Sequence, residues 1–415
     1  MPDLETTTPT KAPAEGAPRI IARGVQREST AVFMPALALE LVSSVEGIQG
    51  LSADYERLGR TTGNTLPFAL PEWHLTWCRH FLNTHPHFEE QPLFHVLRKG
   101  SGECVALVPL ICTRWRVGPL QIATADLIGA DPSISEIRTP LVEPGYESHT
   151  VQAVHGSLAR ERDWQWMHWR GLSGALREAV RAEAAANCYQ ASQDFILDLP
   201  SSWEELRAGL PRNIRESLRH CYNSLRRDGH NFEFVVARTA ADVEPALDRF
   251  LRLHTLRAGM SGVTKHPDRF ATPALQFFLH DVCRALAARD AVRVFQLRIG
   301  GQTVAARVGF VVGDSLYLYY SGFDPGWARY SVMTTTVAET LRYAIAHGLK
   351  SVNLSLTAEQ SKLRWRPRLF EYHAALVHRD SHSSRLAARA YRAALSGNGM
   401  PARLLKGLLP RRSWQ

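Results

Sequence analysis

The chain has 415 residues, of which 45% are hydrophobic and 21% charged, a balance typical of a globular protein with room for two domains. Its six cysteines show no C-x-x-C or Cys/His spacing, so no metal motif is indicated and reduced thiols are expected. The amino terminus lacks a signal-peptide pattern, and no run approaches the roughly 20 apolar residues that cross a bilayer. We therefore expect a cytoplasmic protein.

The formal net charge of +9 is concentrated at the carboxyl end. Residues 381–415 contain seven lysines and arginines and no acidic residue, which leaves only +2 for the rest of the chain. DNA binding is therefore not expected. The segments SRLAARAYRAAL and MPARLLKGLLPRRSW are short, basic and amphipathic. They fit peripheral contact with the inner membrane face, docking to a partner, or a solvated helix.

Residues 1–30 are rich in Thr, Pro, Ala and charge, which predicts a disordered segment. The following AVFMPALALELVSS predicts a first strand or an apolar docking segment. A helix is predicted after Pro71, where three aromatic residues, Trp73, Trp77 and Phe81, recur four positions apart. Such a stripe is typical of a core-facing side.

The sequence indicates an internal repeat. The hairpin pattern FHVLRKGSGECVALVPL, with strands at 93–98 and 103–111, resembles FQLRIGGQTVAARVGF in the second half. Residues 164–169 and 350–356 likewise predict corresponding late strands. We therefore predict two copies of one α/β unit, at 31–190 and 191–380, followed by a tail at 381–415. The tryptophans of DWQWMHWRG are interpreted as core residues, with stacking on a sugar ring as the alternative.

The second half is predicted to begin with a strand, Phe195–Leu199, and a helix capped near Ser202. A basic helix ended by Gly229 follows. Its arginines are Arg212, Arg215, Arg219, Arg226 and Arg227. They are interpreted as a solvated face, or alternatively as contacts to an anionic acceptor such as a phosphorylated or nucleotide-linked sugar.

Two more helices are predicted at 243–256 and 273–288, separated by the loop RAGMSGVTKHPDRF, which could act as a lid. His254 precedes this loop. A histidine there is suited to acid–base chemistry, although a capping or surface role is the commoner one.

Strands are predicted at 292–299, 303–312 and 315–321, with Gly300-Gly301 in the first hairpin turn. The loop SGFDPGWARYS leads to Ser331, a predicted cap for a helix over 332–347 that Gly348 closes. A fourth strand, 350–356, then pairs in parallel with the third. The helix start is interpreted as an ordinary capped terminus or as a phosphate or pyrophosphate site, because its first amides are unpaired.

The run YYSGFDPGWARYS, the helix ending in AHG, the strand VNLSL and the following KLRW resemble the CelD-like acyltransferases. These form a branch of the GNAT (acyl-CoA N-acyltransferase) superfamily related to the FemABX peptidyltransferases, and the resemblance covers residues 66–377. It implies an α/β fold of tandem GNAT-like domains, each with a mixed, mostly antiparallel sheet flanked by helices. In such a sheet the strand at Phe195–Leu199 would lie at an edge. The glycine-rich pyrophosphate loop of the commonest GNAT enzymes is missing.

The resemblance also implies a site that binds acetyl-CoA or another acyl-CoA, without a metal. Backbone amides of Tyr319–Ser321 would hold the donor carbonyl, and those of Ser331, Val332, Met333 and Thr334 the pyrophosphate, with added charge from Arg329 and Lys362. Candidate catalytic acids are Tyr320 and Tyr330, and candidate bases are Asp324, His254 and Glu339. Asn353, Ser355, Trp365 and Arg215 are the candidate acceptor-binding residues.

The expected function is transfer of an acyl group to a small-molecule or sugar-linked amine, in polysaccharide or cell-envelope biosynthesis. Two alternatives stay open at this point. One is an aminoacyl-tRNA donor, as in FemABX proteins, which the confinement of basic charge to the tail disfavours. The other is a non-catalytic adaptor that holds a polysaccharide synthase complex at the membrane.

Overall fold

The computed structural model describes residues 37–84, 88–117, 120–130, 134–160, 164–184, 186–260 and 266–395. In these residues the strands form one mixed sheet with the order β1-β2-β3-β4-β6-β13-β7-β12-β11-β10-β9-β8, and β5 pairs with β3 outside that path. The strand bounds are β1 Leu37–Val42, β2 Phe88–Lys99, β3 Cys104–Val117, β4 Leu120–Leu127, β5 Leu141–Val142, β6 Trp166–Leu172, β7 Cys188–Asp198, β8 Phe232–Ala237, β9 Val292–Ile299, β10 Gln302–Val312, β11 Ser315–Phe323, β12 Ser351–Asn353 and β13 Arg368–His378.

Helices cover both faces of this sheet. Their bounds are α1 Val45–Gly50, α2 Ser52–Thr61, α3 Pro71–Phe81, α4 Glu147–Arg160, α5 Gly174–Glu183, α6 Trp203–Gly209, α7 Arg212–Arg227, α8 Ala240–Ala258, α9 Pro273–Ala287, α10 Val332–Ala346, α11 Gln360–Leu363 and α12 His382–Leu395, with 3₁₀ turns at Pro67–Ala69 and Pro325–Tyr330.

The two halves repeat one arrangement. Four antiparallel strands, β1–β4 or β8–β11, lead through a crossover helix, α4 or α10, to a parallel strand, β6 or β12. The last strand of each half then crosses over. β7 pairs with β12 of the second half, β13 pairs with β6 of the first, and β7 and β13 pair with each other. The predicted tandem GNAT-like fold is thus confirmed, and the halves share one continuous sheet.

The predicted edge position of the strand at Phe195–Leu199 is wrong. This segment belongs to β7, which lies in the middle of the sheet between β12 and β13, antiparallel to both. The reason is that β13, formed far later in the chain, closes the side that would otherwise be open. Phe195 is consequently fully buried. The domain boundaries near 190 and 380 stay a prediction.

The hairpin predictions around residue 300 are confirmed. β9 spans Val292–Ile299, and the turn glycines Gly300 and Gly301 have φ of 56° and 77°, the left-handed values of a tight hairpin turn. β12 is shorter than predicted and ends at Asn353. There the Asn353 side-chain oxygen accepts a hydrogen bond from the Ser355 amide at 2.8 Å, which replaces the ladder with a turn.

Two apolar clusters cover opposite faces of the second half-sheet. On one face Trp73 of α3 packs against Phe278 of α9 and Phe310 of β10. On the other face Leu341 of α10 belongs to the same buried cluster as Leu318 of β11. The predicted core role of Trp73, Trp77 and Phe81 is confirmed, and the three tryptophans of DWQWMHWRG are also buried.

The first tail segment is a helix with a covered apolar side. Tyr391 of α12 stacks on Trp166 with ring centroids 4.9 Å apart, and Ala388 is buried in the same cluster. These two residues are therefore occupied by packing within the protein, whereas Leu386 of the same helix is exposed. The second tail segment and the predicted disordered segment at 1–30 lie outside the described residues. Within the described ranges, no helix combines the length and hydropathy that a bilayer crossing requires.

Candidate active site

A cavity opens where β11 and β12 separate. The two parallel strands pair only over residues 315–317 and 351–353, while β11 continues alone on this side to Phe323. Beyond β12 the chain turns sharply, with positive φ at Ser355 (70°) and Thr357 (75°), and such non-glycine conformations concentrate at functional sites. The cavity has a volume of about 660 Å³.

Side chains from both halves line this cavity. Ser135 and Glu136 come from the loop between β4 and β5 of the first half. The second half contributes His254, Arg257, His266, Pro267, Arg269, Arg307, Tyr319, Tyr320, Ser321, Phe323, Met333, Thr334, Val337, Leu354, Ser355, Leu356, Thr357, Glu359, Ser361, Lys362, Arg364 and Trp365.

The amino end of α10 forms one wall. Ser331 does not cap it in the predicted way, because Ser331 is left-handed, with φ of 52°, and its side chain makes no capping hydrogen bond. Its carbonyl oxygen instead accepts from the amides of Thr334 at 2.8 Å and Thr335 at 3.3 Å. The amides of Val332 and Met333 lie earlier in this turn, where a helix offers no acceptor of its own. The terminus can therefore receive an anion.

Glu136 lines the cavity and is half-buried. Its Oε2 accepts hydrogen bonds from the Tyr317 hydroxyl at 2.6 Å and the Ser355 hydroxyl at 2.7 Å. Burial raises the pKa of Glu136, and these hydrogen bonds oppose that effect. The first half thereby supplies a half-buried carboxyl group to a site built mainly by the second half.

A second carboxyl group, which is fully buried, adjoins this cluster. Asp194 of β7 accepts a hydrogen bond from the Asn353 amide nitrogen at 2.8 Å. Burial raises the pKa of Asp194 to about 7, with a further contribution from the charge of Glu136. Asn353, a predicted acceptor ligand, is thus used to hold Asp194 and does not line the cavity.

Lys362 of α11 reaches into the cavity and donates from Nζ to the Leu356 carbonyl oxygen. Burial lowers its pKa to about 8, and the charge of Arg307 acts in the same direction. The side chain is therefore a cation at neutral pH that loses its proton at mildly alkaline pH.

Two arginines of the cavity wall lie close to Ser321 of β11. Arg257 donates to the Ser321 hydroxyl at 2.8 Å and to His266 Nε2 at 3.0 Å. Arg307 of β10 stands opposite Ser321 in the β10/β11 register. Its hydrogen bond to the Tyr319 carbonyl oxygen is long, at 3.4 Å.

His254 lines the cavity, but both of its ring nitrogens are used. Nδ1 donates to the Ser321 carbonyl oxygen at 2.9 Å, and Nε2 accepts from the Arg269 amide at 3.2 Å. Burial lowers the pKa of His254, in keeping with a neutral ring. The geometry describes a residue that ties α8 to β11 and to the loop before α9. Residues 261–265 of the predicted lid lie outside the described part of the chain.

The structure brings about half of the predicted site residues together. Those that line the cavity are His254, Tyr319, Tyr320, Ser321, Met333, Thr334, Ser355, Lys362 and Trp365. Those outside the lining are Asp324, Tyr330, Glu339, Arg329, Ser331, Val332, Asn353 and Arg215.

Several of the outlying residues have other partners. Asp324 accepts from the Gly326 amide at 2.9 Å and so caps the 3₁₀ turn. The Tyr330 hydroxyl donates to Asp228 at 2.9 Å and accepts from the exposed Arg329 at 2.6 Å. Glu339 accepts from Tyr222 and from Arg342.

Four charged residues escaped the sequence analysis: Glu136, Asp194, Arg257 and Arg307. One of them carried a usable signal, since Arg307 interrupts the strongly apolar strand sequence VAARVGFVV, and a charge inside a buried strand is rare without a special role. Asp194 follows the polar run Gln190–Gln193 and does not stand out. Glu136 stands in a loop without a motif. Among the described residues, no group of His, Cys, Asp and Glu side chains has the arrangement of a metal site.

The fold and this cavity define a tandem GNAT-type acyltransferase architecture. Residues 212–363 match a family model described as an acetyltransferase (GNAT) domain, and this segment supplies most of the cavity wall. The chain is therefore an acyltransferase that carries a GNAT domain. No curated protein matches the sequence.

Three solved structures are among those similar to this chain. The crystal structure of FemX matches with 10% identity over 85% of this chain and 100% of FemX, with a TM-score of 0.58. The C-terminal domain of a putative lysylphosphatidylglycerol synthetase from Agrobacterium fabrum matches with 15% identity, 84% and 98% coverage and a TM-score of 0.47. A tandem GNAT protein from the clavulanic acid biosynthesis pathway matches with 13% identity, 83% and 100% coverage and 0.42. Of these three scores only that of FemX exceeds 0.5, and it supports the fold.

Proposed function

We propose that this protein transfers an acyl group from acetyl-CoA or another acyl-CoA to an amine. The separation of β11 from β12 beside the amino end of α10 carries the proposal. The unpaired edge of β11 beyond residue 317 offers backbone groups to a pantetheine arm, as an added strand would use them. The amides of Val332 and Met333 then receive the pyrophosphate.

The transfer joins the amine nitrogen to the thioester carbonyl carbon and breaks the carbon–sulfur bond. A base takes a proton from the amine, and the leaving thiolate receives one. Tyr320 lines the cavity, and burial raises its pKa, so it is protonated at neutral pH and can supply that proton. The charge of Lys362 stabilises the negative charge on the carbonyl oxygen.

Glu136 is the base that the geometry favours. The predicted bases Asp324 and Glu339 lie outside the cavity lining, and His254 has both ring nitrogens bonded to backbone. Of the two carboxyl groups that line the cavity, Glu136 and Glu359, only Glu136 is held by two hydroxyl groups. Burial raises the pKa of Glu136 toward the value that suits a general base at neutral pH.

The acceptor is proposed to be a small-molecule or sugar-linked amine of polysaccharide or cell-envelope biosynthesis. The support for this part is the resemblance of residues 66–377 to the CelD-like acyltransferases. Contact with the membrane through the basic residues beyond 395 belongs to the same proposal.

A negative charge introduced at the start of α10 tests whether the pyrophosphate of CoA binds there. Thr334 lines the cavity in the first turn of the helix. Thr334→Glu places a carboxylate where helices prefer one, so stability should be kept, but this charge repels a pyrophosphate. We expect the Kd for CoA, measured by calorimetry, to rise about tenfold or more, which is about 1.4 kcal/mol. Thr334→Gln is the uncharged control and should bind CoA as the parent does.

Thermal-shift measurements distinguish an acyl-CoA donor from an aminoacyl-tRNA donor and from a non-catalytic adaptor. CoA, acetyl-CoA and longer acyl-CoAs should raise the Tm of the parent protein by mass action. Stabilisation by aminoacyl-tRNA and not by CoA would transfer the assignment to a FemABX-like reaction. A lack of response to both would favour the adaptor. If Thr334→Glu and the parent bound CoA with equal affinity, the start of α10 would not be part of the donor site.

A further inference from the structure

Asp194 lies on the face of the sheet that α8 covers. In the register of three adjoining strands, Tyr317 of β11, Asn353 of β12 and Ile196 of β7 stand side by side. Paired residues of neighbouring strands point to the same face, and Tyr317 belongs to the same apolar cluster as Phe250 of α8. Asp194 is two positions from Ile196 on β7, so it points to this face as well. Its carboxyl group is fully buried there.

A chain of three hydrogen bonds connects Asp194 to Glu136. The Asn353 amide nitrogen donates to Asp194 Oδ2 at 2.8 Å, and the Asn353 side-chain oxygen accepts from the Ser355 amide at 2.8 Å. The Ser355 hydroxyl then donates to Glu136 Oε2 at 2.7 Å. A carboxamide nitrogen only donates and its oxygen only accepts, so the side chain of Asn353 has one orientation in this chain. That orientation requires an acceptor at position 194.

The turn at Ser355 depends on the Asn353 side chain. Ser355 has a φ of 70°, a left-handed conformation that costs free energy in a residue other than glycine and persists only where its surroundings hold it. The hydrogen bond from the Ser355 amide to Asn353 holds the backbone in this conformation. The direction of the Ser355 hydroxyl follows from the backbone, so Asn353 sets that direction too.

The Ser355 hydroxyl helps to set the pKa of Glu136. Burial raises this pKa, whereas hydrogen bonds from Tyr317 and Ser355 lower it. The charges of Lys362 of α11 and Arg307 of β10 lower it further. A hydrogen bond donated to a carboxylate favours the charged form. The basicity of Glu136 therefore depends on how well the Ser355 hydroxyl is directed.

Asp194 keeps its proton while Glu136 titrates. Burial raises the pKa of Asp194 to about 7, and the charge of Glu136 acts in the same direction. Hydrogen bonds from Asn353 and from Tyr372 of β13, together with the charge of Lys362, oppose this effect. Because Glu136 acts on Asp194 as an anion, Glu136 is the group that ionises first. Over that pH range Asp194 is neutral and acts on Glu136 through the hydrogen-bond chain.

We infer that Asp194 is a positioning residue of the active site, which directs the Ser355 hydroxyl toward the base Glu136 by holding Asn353. This inference rests on the proposed function, in which Glu136 is the base. Asp194 itself does not line the cavity. An apolar side chain at its buried position would avoid the cost of removing a carboxyl group from water, but it would leave the Asn353 nitrogen without an acceptor.

The pKa of Glu136, measured directly, tests this inference. The full-length protein is labelled with ¹³C at the glutamate carboxyl groups and titrated by NMR, and the Glu136 signal is identified by its loss in Glu136→Gln. Ser355→Ala removes one hydrogen bond to the carboxylate, so the pKa of Glu136 should rise by about one unit. Asp194→Ala and Asn353→Ala should raise it by a similar amount, because each releases the turn at Ser355.

A double-mutant cycle separates positioning from general loosening of the site. Asp194→Ala combined with Ser355→Ala should raise the pKa of Glu136 no further than either change alone, because both act on one hydrogen bond. Asp194→Ala combined with Tyr317→Phe should give the sum of the two effects, because Tyr317 is a separate donor to Glu136. Additive effects of the first pair would overturn the inference.

Two control variants retain the chain. Asp194→Asn supplies a neutral acceptor to Asn353, so the pKa of Glu136 should equal that of the parent. Asp198→Ala, at the exposed end of the same strand, should also leave it unchanged. Asn353→Ala interrupts the chain independently, so the test does not depend on the folding of Asp194→Ala, and circular dichroism checks both proteins.

CoA binding distinguishes this inference from the proposed function. Failure of the parent to bind CoA by calorimetry would refute the proposed donor, whatever the pKa of Glu136. Asp194→Ala should bind CoA with the Kd of the parent, because Asp194 lies on the face opposite α10. An unchanged pKa of Glu136 in both Asp194→Ala and Asn353→Ala, with lowered stability, would show a purely structural role and overturn the inference.

Discussion

Glu136 shows how a single side chain can join the two halves of this protein. Its hydrogen-bond partners Tyr317 and Ser355 lie 181 and 219 positions away in the sequence. The site is therefore complete only when the first half is folded against the second.

Replacing Glu136 by Gln tests its role as the base. Gln keeps an acceptor for the hydroxyl groups of Tyr317 and Ser355, so the fold should be preserved, but it cannot accept the proton of the amine. We expect kcat to fall by roughly 10²- to 10⁴-fold with the Kd for CoA unchanged. Steady-state kinetics and calorimetry measure the two quantities. Glu359→Gln, at the same cavity, is the control, and an equal loss in both variants would contradict the assignment.

Asp194 should make stability depend on pH. Burial raises its pKa from the ordinary 3.8 to about 7 in the folded state, so between these values the folded protein keeps a proton that the unfolded chain has released. The free energy of unfolding should therefore fall as pH rises through this window, by up to roughly 4 kcal/mol from this group. Asp194→Asn should lack this component.

Urea unfolding of the parent and of Asp194→Asn between pH 4 and 8 measures the difference. Asp198, at the exposed end of the same strand, supplies the control, since Asp198→Asn should retain the pH dependence of the parent. Parallel curves for Asp194→Asn and the parent would show that Asp194 does not titrate in this range.

At the scale of elements, α8 rests directly on β11 because Gly322 has no side chain. A Cβ at this position would lie 2.3 Å from the His254 amide nitrogen and 2.5 Å from the Leu253 carbonyl carbon. Both contacts are with backbone, which cannot rotate away. The close approach fixes α8, and with it Arg257, over the cavity.

Gly322→Ala should consequently destabilise the protein by about 1–3 kcal/mol, the usual cost of overpacking. Chemical unfolding measures the change in the free energy of unfolding. Gly59, inside α2, has no atom within 4 Å of the position that a Cβ would take, so Gly59→Ala should be neutral or stabilising. A stable Gly322→Ala protein would show that α8 can move.

The elements of the second half could be predicted from sequence because their signals are local. The pair Gly300-Gly301 and the apolar repeat of α10 each act within a few residues. The central position of β7 could not be predicted from sequence, because its partner strand β13 comes about 170 residues later in the chain and no local signal links the two. The cavity could not be predicted for the same reason. Arg257 and Arg307 do not stand out in the sequence, and they line one cavity only because the folded chain brings α8 and β10 together.

At the scale of the whole molecule, the exchange of β7 and β13 predicts that neither half folds alone. A cut between Pro200 and Ser201, after β7, yields two pieces that each present an unpaired strand of the central sheet. Each piece should be insoluble or unfolded by circular dichroism when expressed separately, because open strand edges aggregate.

Co-expression of the two pieces should restore a soluble complex with the CoA affinity of the intact chain. A cut in the exposed hairpin turn at Gly102 is the control, since it interrupts the chain within one half and leaves the exchange of strands untouched. A folded, soluble second piece on its own would show that β7 and β13 are dispensable for its stability.

The interlocked strands also limit how the cavity can change its width. Many two-lobed proteins close on their ligands by a hinge between the lobes, but hydrogen bonds run without interruption from β6 through β13 and β7 to β12. Bending there would break the ladder. Discrimination among acyl chains should therefore depend on the size of fixed wall residues near the expected position of the donor carbonyl, such as Tyr319. Specificity in this scaffold would then evolve by substitution within a rigid frame rather than by lobe motion.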